Sequence, residues 1–398
     1  MRILLYRIFQ TVMRAAAYFL PWHKPELLEG ENSLSKLPEF LITKGLTSVL
    51  IVTDRGIMSI GLMNGLLREL DAKGFNYTVY DKTVPNPTTR NIEEALQLYK
   101  AYNHQAIIAF GGGSPIDCAK GVGARVARPG KSIPEMKGLL KVGRKLPPLV
   151  AIPTTAGTGS EVTLAAVVSD PETHQKYALM DNALIPRYAV LDPSLMLKLP
   201  PHITSTTGMD ALTHAVEAYI GRANTRETKQ LSKQAVKLIF DNLFEAYTNG
   251  TNIVARANMQ KASYYAGIAF TRAYVGNVHA IAHALGGFYG IPHGLANAVV
   301  LPYVLEYYKE SVFRPLAELA DLIGITGENH RQKAIAFIEA VKWFSERMNI
   351  QKQFSEIQTD DIPQMAQRAF DEANPIYPVP KVFSKADFEA LFARIQAS

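Results

Sequence analysis

Asp210 and His214 lie four residues apart in GMDALTHAVEAY, and GNVHAIAHALGGFYGIPHG follows with His279, His283 and His293. Four of the nine histidines of the chain fall in these two stretches. Residues at i and i+4 share one face of a helix, so each stretch can aim a pair of donor atoms at a common point. Asp210, His214 and two of the three later histidines would supply one carboxylate oxygen and three imidazole nitrogens. That mixture suits Fe(II), Zn or a similar first-row ion. His279 and His283 share a face, so spacing leaves open which of them binds. A 2-His-1-carboxylate oxygenase satisfies the same arithmetic. Ordinary core histidines are the plainer alternative, but clustering at helical spacing weighs against it.

These side chains need elements to aim them. Short apolar runs at 48–54, 76–80, 106–113 and 148–155 read as buried strands, with helical periodicity at 57–72, 91–104 and 115–126 between them. Such alternation predicts a parallel sheet wrapped by helices. VVSDPETHQKYALMD (167–181) reads as a hairpin turning at Asp170-Pro171, and YAVLDP (188–193) as a last strand. After Pro200-Pro201 strand signals nearly vanish. Helices are expected at 203–221, 226–247, 251–271, 278–289, 294–309, 311–323, 330–349, 361–372 and 384–396. The boundary between an α/β half and an all-α half falls near residue 197.

Three stretches of the first half could meet a nucleotide. Gly111-Gly112-Gly113-Ser114-Pro115 follows a buried strand and opens a helix. Glycines let backbone approach a phosphate, Ser114 suits an N-cap, and Pro115 suits the first turn. Free N–H groups and the helix dipole there favour pyrophosphate. Pro153-Thr154-Thr155-Ala156-Gly157-Thr158-Gly159-Ser160-Glu161 places hydroxyls after another strand end, where ligands bind in open α/β sheets. Asp54 ends the first clear strand; its carboxylate could accept from ribose hydroxyls and would repel the 2′-phosphate of NADP, favouring NAD. Asp54 precedes the glycines by more than fifty residues, the reverse of the usual fingerprint, so the winding would be a variant. A turn-capping role for Asp54 is the alternative.

At 398 residues, 47% hydrophobic and 20% charged, the chain is long enough for two cored domains. A net charge of +6 without Lys/Arg runs or basic-aromatic interleaving excludes a nucleic-acid surface and mildly favours anionic ligands. The single cysteine, Cys118, excludes an intramolecular disulfide and a Cys-rich zinc cluster, and fits a reducing, cytoplasmic setting. MRILLYRIFQTVMRAAAYFLPW is basic and apolar, with no acidic residue before Glu26. Arg7 and Arg14 keep it short of the ~18 apolar residues of a membrane span and argue against a secretory signal. It reads as an amphipathic helix, either on a membrane surface or packed on the protein.

GGGSPIDCAK, PTTAGTGSEVT, GMDALTHAVEAY and GNVHAIAHALGGFYGIPHGLANAVVLP resemble the iron-containing (group III) alcohol dehydrogenase family, in order from about Leu46 to beyond Pro302. The resemblance implies a Rossmann-like α/β domain over 31–197, an all-helical metal-binding domain over 198–398, and a cofactor and metal cleft between them. The leader, 1–30, lies outside it. By position the family's metal ligands fall on Asp210, His214, His279 and His293, which leaves His283 near nicotinamide and substrate as a proton relay. Gly112, Gly113 and Ser114 would hold pyrophosphate. Thr154, Thr155, Thr158 and Lys176 would line the rest of the groove, with Asn86 and Asp54 at further cofactor positions.

The activity implied is NAD(P)-linked oxidation of an alcohol or reduction of an aldehyde, with hydride passing between an alcohol activated at the metal and nicotinamide. NAD is preferred to NADP, and Fe(II) to Zn. A polyol or hydroxyacid dehydrogenase or transhydrogenase on the same fold, or a metal-dependent lyase or hydrolase, are the other readings. An exposed strand edge near 40–55 would fit a homodimer like that of the family, and residues 1–20 could touch a membrane.

Overall fold

The computed structural model describes residues 2–18, 22–172 and 175–397. The chain divides into two compact units: Pro21–Lys198, and Met1–Leu20 together with Leu199–Ser398.

In the first unit, strands β1 (Glu26–Glu29), β2 (Ser48–Val52), β3 (Asn76–Tyr80), β4 (Ala106–Gly111), β6 (Leu149–Pro153) and β9 (Tyr188–Leu191) form one sheet. β5 (Gly138–Leu139), β7 (Ala165–Asp170) and β8 (Gln175–Met180) form a second, smaller one. The main sheet runs in the order β1-β9-β6-β4-β2-β3 and every pairing is parallel. Each face of it must then be covered, and the side chains alternate accordingly. Leu50, Val52, Ile107 and Ala109 enter a core with Ile92, Leu96 and Val122 of helices α5 (Thr89–Ala101) and α6 (Gly113–Ala127). Val49, Ile51, Ile108 and Phe110 enter the opposite core with Leu37 and Leu41 of α2 (Leu37–Thr43) and Leu66 and Leu70 of α4 (Asn64–Ala72).

The expected hairpin is present as the antiparallel pair β7 and β8. Three expectations change. The helix expected over 57–72 is broken: α3 (Arg55–Ser59) ends before Gly61, whose φ of 66° stops it, and α4 starts at Asn64. The strand edge expected near 40–55 is not an edge, because β2 lies between β4 and β3. The edges are β3 and β1. β1 lies inside the stretch assigned to the leader and pairs with β9, Leu27 opposite Ala189. Four residues give too little periodicity to announce a strand.

In the second unit, α1 (Arg2–Tyr18) joins α7 (Pro201–Ile220), α8 (Arg226–Thr248), α9 (Ile253–Ala273), α10 (Asn277–Tyr289), α11 (His293–Tyr308), α12 (Phe313–Leu322), α13 (His330–Arg347), α14 (Ile362–Ala373) and α15 (Lys385–Ile395). α7 starts with Pro201 at its first position and is buried on all sides from Gly208 to Ile220. Leu243 of α8 occupies the space a side chain at Gly208 would need, so the two helices meet closely there. Among the described residues no helix is long and apolar enough to cross a membrane.

Cys118 sits in α6 with no exposed surface, and burial pushes its thiol up to about 12. Only the thiolate alkylates, so the folded protein should not react with iodoacetamide near neutral pH, whereas the denatured chain should take up one equivalent. Mass spectrometry reads the outcome; rapid labelling without denaturant would contradict this packing.

Candidate functional site

Asp210, His214 and Glu217 follow one face of α7, at i, i+4 and i+7. α10 contributes His279, and α11 contributes His293 at its first position, directly after the turn through Gly290 (φ 68°) and Pro292. Gly294 lets α11 approach α7, since a Cβ there would lie 2.7 Å from the carbonyl oxygen of Thr206. One donor atom from each of Asp210, His214, His279 and His293 lies within 4.8 Å of the others. Asp210, His214 and His279 are buried and His293 is half-buried. Burial raises the Asp210 carboxyl, which His214 partly offsets, and burial holds His279 well below the usual imidazole value.

Hydrogen bonds decide which imidazole atoms face inward. Glu217 accepts from the backbone N–H groups of Gly276 and Val278, both at 2.8 Å, and from His279 Nδ1 at 2.6 Å. Burial pushes its carboxyl up to about 8, while these donors hold the anion. We assign the carboxylate form, because all three contacts are then satisfied. His279 Nδ1 thus carries the proton and Nε2 presents a lone pair. Gly276 has no alternative: a Cβ there would lie 2.6 Å from Glu217 Oε1.

The Asn297 amide nitrogen lies 2.6 Å from Asp210 Oδ1 and 3.2 Å from both His279 Nε2 and His293 Nε2. Two N–H groups thus face three acceptors. A largely buried cluster of one carboxylate and three imidazoles fits a divalent cation of the Fe(II) or Zn type.

His283 is not in this cluster. Its ring stacks on His293, with centroids 5.1 Å apart, and its Nδ1 lies 2.6 Å from Glu372 Oε1. Tyr377 donates to the same Glu372 oxygen at 2.7 Å.

In the α/β unit the loops after the adjacent strands β2, β4 and β6 come together. A Cβ on Gly112 would lie 3.4 Å from Thr155 Oγ1, and one on Gly113 would lie 3.0 Å from Thr158 Cγ2. Thr154 N–H donates to Gly111 O at 3.0 Å. The N-cap is Gly112, two residues before the Ser114 that sequence favoured. The helix begins earlier because Pro115 fits anywhere in a first turn, where N–H groups lack intrahelical partners. Ser114 Oγ instead accepts from Asn86 N–H at 3.2 Å, and Asn86 Oδ1 accepts from Lys176 Nζ at 2.8 Å. Helix N–H groups, hydroxyls and an ammonium make a donor set suited to a pyrophosphate. Asp54 caps α3 through Oδ1, 2.9 Å from Ile57 N, while Oδ2 would lie 3.5 Å from a Cβ on Gly111. The capping role is present, and it leaves one oxygen facing the glycine turn.

Sequence reading passed over Glu217, Asn297, Glu372 and the buried Lys120. Glu217 and Asn297 were within reach, lying on the ligand faces of α7 and α11. Lys120 donates to Ser160 Oγ, Thr163 Oγ1 and the carbonyls of Thr163 and Ala165, and Asp117 Oδ1 accepts from Ser160, so α6 is pinned to the threonine loop. Nothing local marks Glu372, 89 residues from His283.

An Asp-His-His-His donor set on a helical unit, in one chain with a parallel α/β unit bearing phosphate-type loops, defines a metal-dependent, nucleotide-linked oxidoreductase. Known proteins narrow this. The family models "Iron-containing alcohol dehydrogenase" and "Fe-containing alcohol dehydrogenase family, C-terminal" match residues 25–193 and 204–396. The chain is 38% identical to alcohol dehydrogenase 4 of Saccharomyces cerevisiae, over 87% of this chain and 92% of that protein. It is 34% identical to the NAD-dependent methanol dehydrogenase of Bacillus methanolicus, over 89% and 93%. The crystal structure of a 1,3-propanediol oxidoreductase superposes with a TM-score of 0.91 at 35% identity, covering 95% of this chain and 100% of that one. The chain belongs to the iron-containing alcohol dehydrogenase family, and it is a metal-dependent NAD(P) alcohol dehydrogenase.

If Glu217 orients His279, Glu217→Ala should weaken metal binding by roughly 10–100-fold while the helical circular dichroism is kept. Competition with a chelator reads the affinity, and an unchanged value would refute the orienting role. If Asp54 also faces the ribose, Asp54→Ala should raise the NADP-to-NAD preference by about tenfold or more, since a negative charge that would repel a 2′-phosphate is gone. Unchanged selectivity in steady-state kinetics would leave Asp54 a helix cap only.

Proposed function

We propose that Asp210, His214, His279 and His293 hold one divalent cation, Fe(II) before Zn, at which a small alcohol is oxidised or its aldehyde reduced. The convergence of their four donor atoms within 4.8 Å carries this reading. A cation bound there makes an alcohol hydroxyl more acidic and polarises a carbonyl. Glu217 keeps the His279 proton on Nδ1, and Asn297 holds Asp210 in place. Both fix the donor set before anything binds.

NAD would lie against Asp54, Asn86, Thr154, Thr155 and Thr158 of the loops, Gly112, Gly113 and Ser114 at the start of α6, and Lys176 of β8. Hydride chemistry belongs to the nicotinamide; the protein's share is orientation and exclusion of water. With Nδ1–H donating to Glu372 Oε1, His283 presents Nε2 as an acceptor. At 24% side-chain exposure that imidazole can take the proton released by the alcohol and pass it to solvent.

The methanol and propanediol relatives support a short alcohol or diol as substrate; a polyol or hydroxyacid keeps the same chemistry. A metal-dependent lyase or hydrolase would use the same donors without net reduction of NAD. A cytoplasmic setting, a homodimer, and contact of residues 1–20 with a membrane complete the proposal.

Elemental analysis of the purified protein, with reduced nicotinamide followed across a panel of alcohols with NAD and NADP, tests it. One equivalent of iron or zinc and alcohol-dependent NAD reduction are expected. Turnover of the panel without any NADH would favour the lyase or hydrolase. His283→Ala should lower turnover by ~10²-fold or more with metal content retained. A variant with the wild-type pH–rate profile would remove the relay.

A further inference from the structure

α1 is mounted inside out. A surface helix on a water-soluble domain normally turns its apolar stripe inward and its polar face to solvent. Here Arg7 Nη1 and Nη2 donate to the carbonyls of Val379 and Pro380, at 2.7 and 3.0 Å. Gln10 Nε2 donates to those of Pro375 and Tyr377, at 3.0 and 2.8 Å. Arg7 also donates to Gln10 Oε1 at 2.9 Å, so the two side chains act as one clamp. The acceptors lie in Asn374-Pro375-Ile376-Tyr377-Pro378-Val379-Pro380, where three prolines leave few N–H groups to meet these carbonyls. Arg7 and Gln10 thus anchor α1 by a polar stripe. Ile3, Leu4, Leu5, Ile8, Phe9 and Val12 point outward, each 40–65% exposed, and Ile376 of the docking segment is 39% exposed as well.

The charged residues of α1 itself are all arginines. Arg2 and Arg14 are exposed, residues 2–18 contain no Asp or Glu, and Arg222, which receives Arg14 at its carbonyl, is a further exposed cation. Lys381 follows the docking segment. A second copy of the chain meeting this face about a two-fold axis would bring cationic rim against cationic rim. A bilayer with anionic headgroups takes both features at once, apolar side chains below the headgroups and arginines among them.

We propose that α1 seats the protein on anionic lipid, lying in the plane of the membrane interface with Leu4, Leu5, Ile8 and Val12 immersed. This deepens the membrane contact of residues 1–20 proposed above, by fixing the immersed face, the anchoring bonds and the lipid charge. It holds or fails independently of the redox chemistry. The anchoring face differs from the immersed one, so the immersed face can be altered without releasing the helix.

The test is flotation of the full chain with vesicles of phosphatidylcholine alone and of phosphatidylcholine with phosphatidylglycerol. Alcohol oxidation in vesicle-free buffer and mass by light scattering are measured alongside. Binding is expected to the mixed vesicles, weakened by salt. The double variant Leu4→Glu/Ile8→Glu should abolish it with soluble activity and mass unchanged. Arg2→Gln and Arg14→Gln should each cost roughly fivefold in partitioning. Absence of wild-type binding to the mixed vesicles, or binding that survives Leu4→Glu/Ile8→Glu, would overturn the proposal. A drop in mass in the double variant would do so too, since it would make a second copy the occupant. Loss of alcohol oxidation in the wild type, with vesicle binding kept, would strike the enzymatic reading alone.

Discussion

Lone pairs that converge where water is scarce repel one another unless positive charge lies among them. The helical unit accepts that constraint at Asp210, His214, His279 and His293, and much of its architecture serves it. α7 is buried on all sides from Gly208 to Ile220 because it must bring three residues of one face to the centre. Gly294 and Gly276 bear no side chain because helix, backbone and carboxylate already fill those spaces. The charge of Glu217 is tolerable in the interior because two backbone N–H groups and an imidazole are aimed at it.

The α/β unit solves a gentler problem. A parallel sheet buried on both faces ends its strands together, and the loops after β2, β4 and β6 become neighbours without further design. Lys120 gives the arrangement its rigidity. Burial lowers its ammonium to about 8 and is offset by four oxygen acceptors together with Asp117. The helix that opens with the glycines is thus tied to the loop that carries the threonines, and the spacing between the two is set by α6.

How much of this could be read from residues alone depended on range. Asp210 with His214, and the glycine turn after an apolar strand, announce themselves because partner and signal lie within one helical turn. Glu217 was equally local, yet a glutamate in a helix usually means a wet surface, and nothing in the sequence reports that α7 is buried all round. Glu372 and Asn86 gain their meaning from distant chain segments, so no spacing could mark them. β1 is too short for periodicity, and its partner strand lies some 160 residues on. The leader was legible as amphipathic, but amphipathicity names two faces without saying which one turns inward. The carbonyls of Pro375–Pro380 decide that, and they are invisible from the first twenty residues.

The burial of Cys118 has a practical side. With the sole native sulfhydryl shut inside α6, a cysteine introduced at any solvent-facing position would be the one reactive handle on the molecule. Spin labels or fluorophores could then be placed one at a time, in a wild-type background, with no need to remove a native residue first.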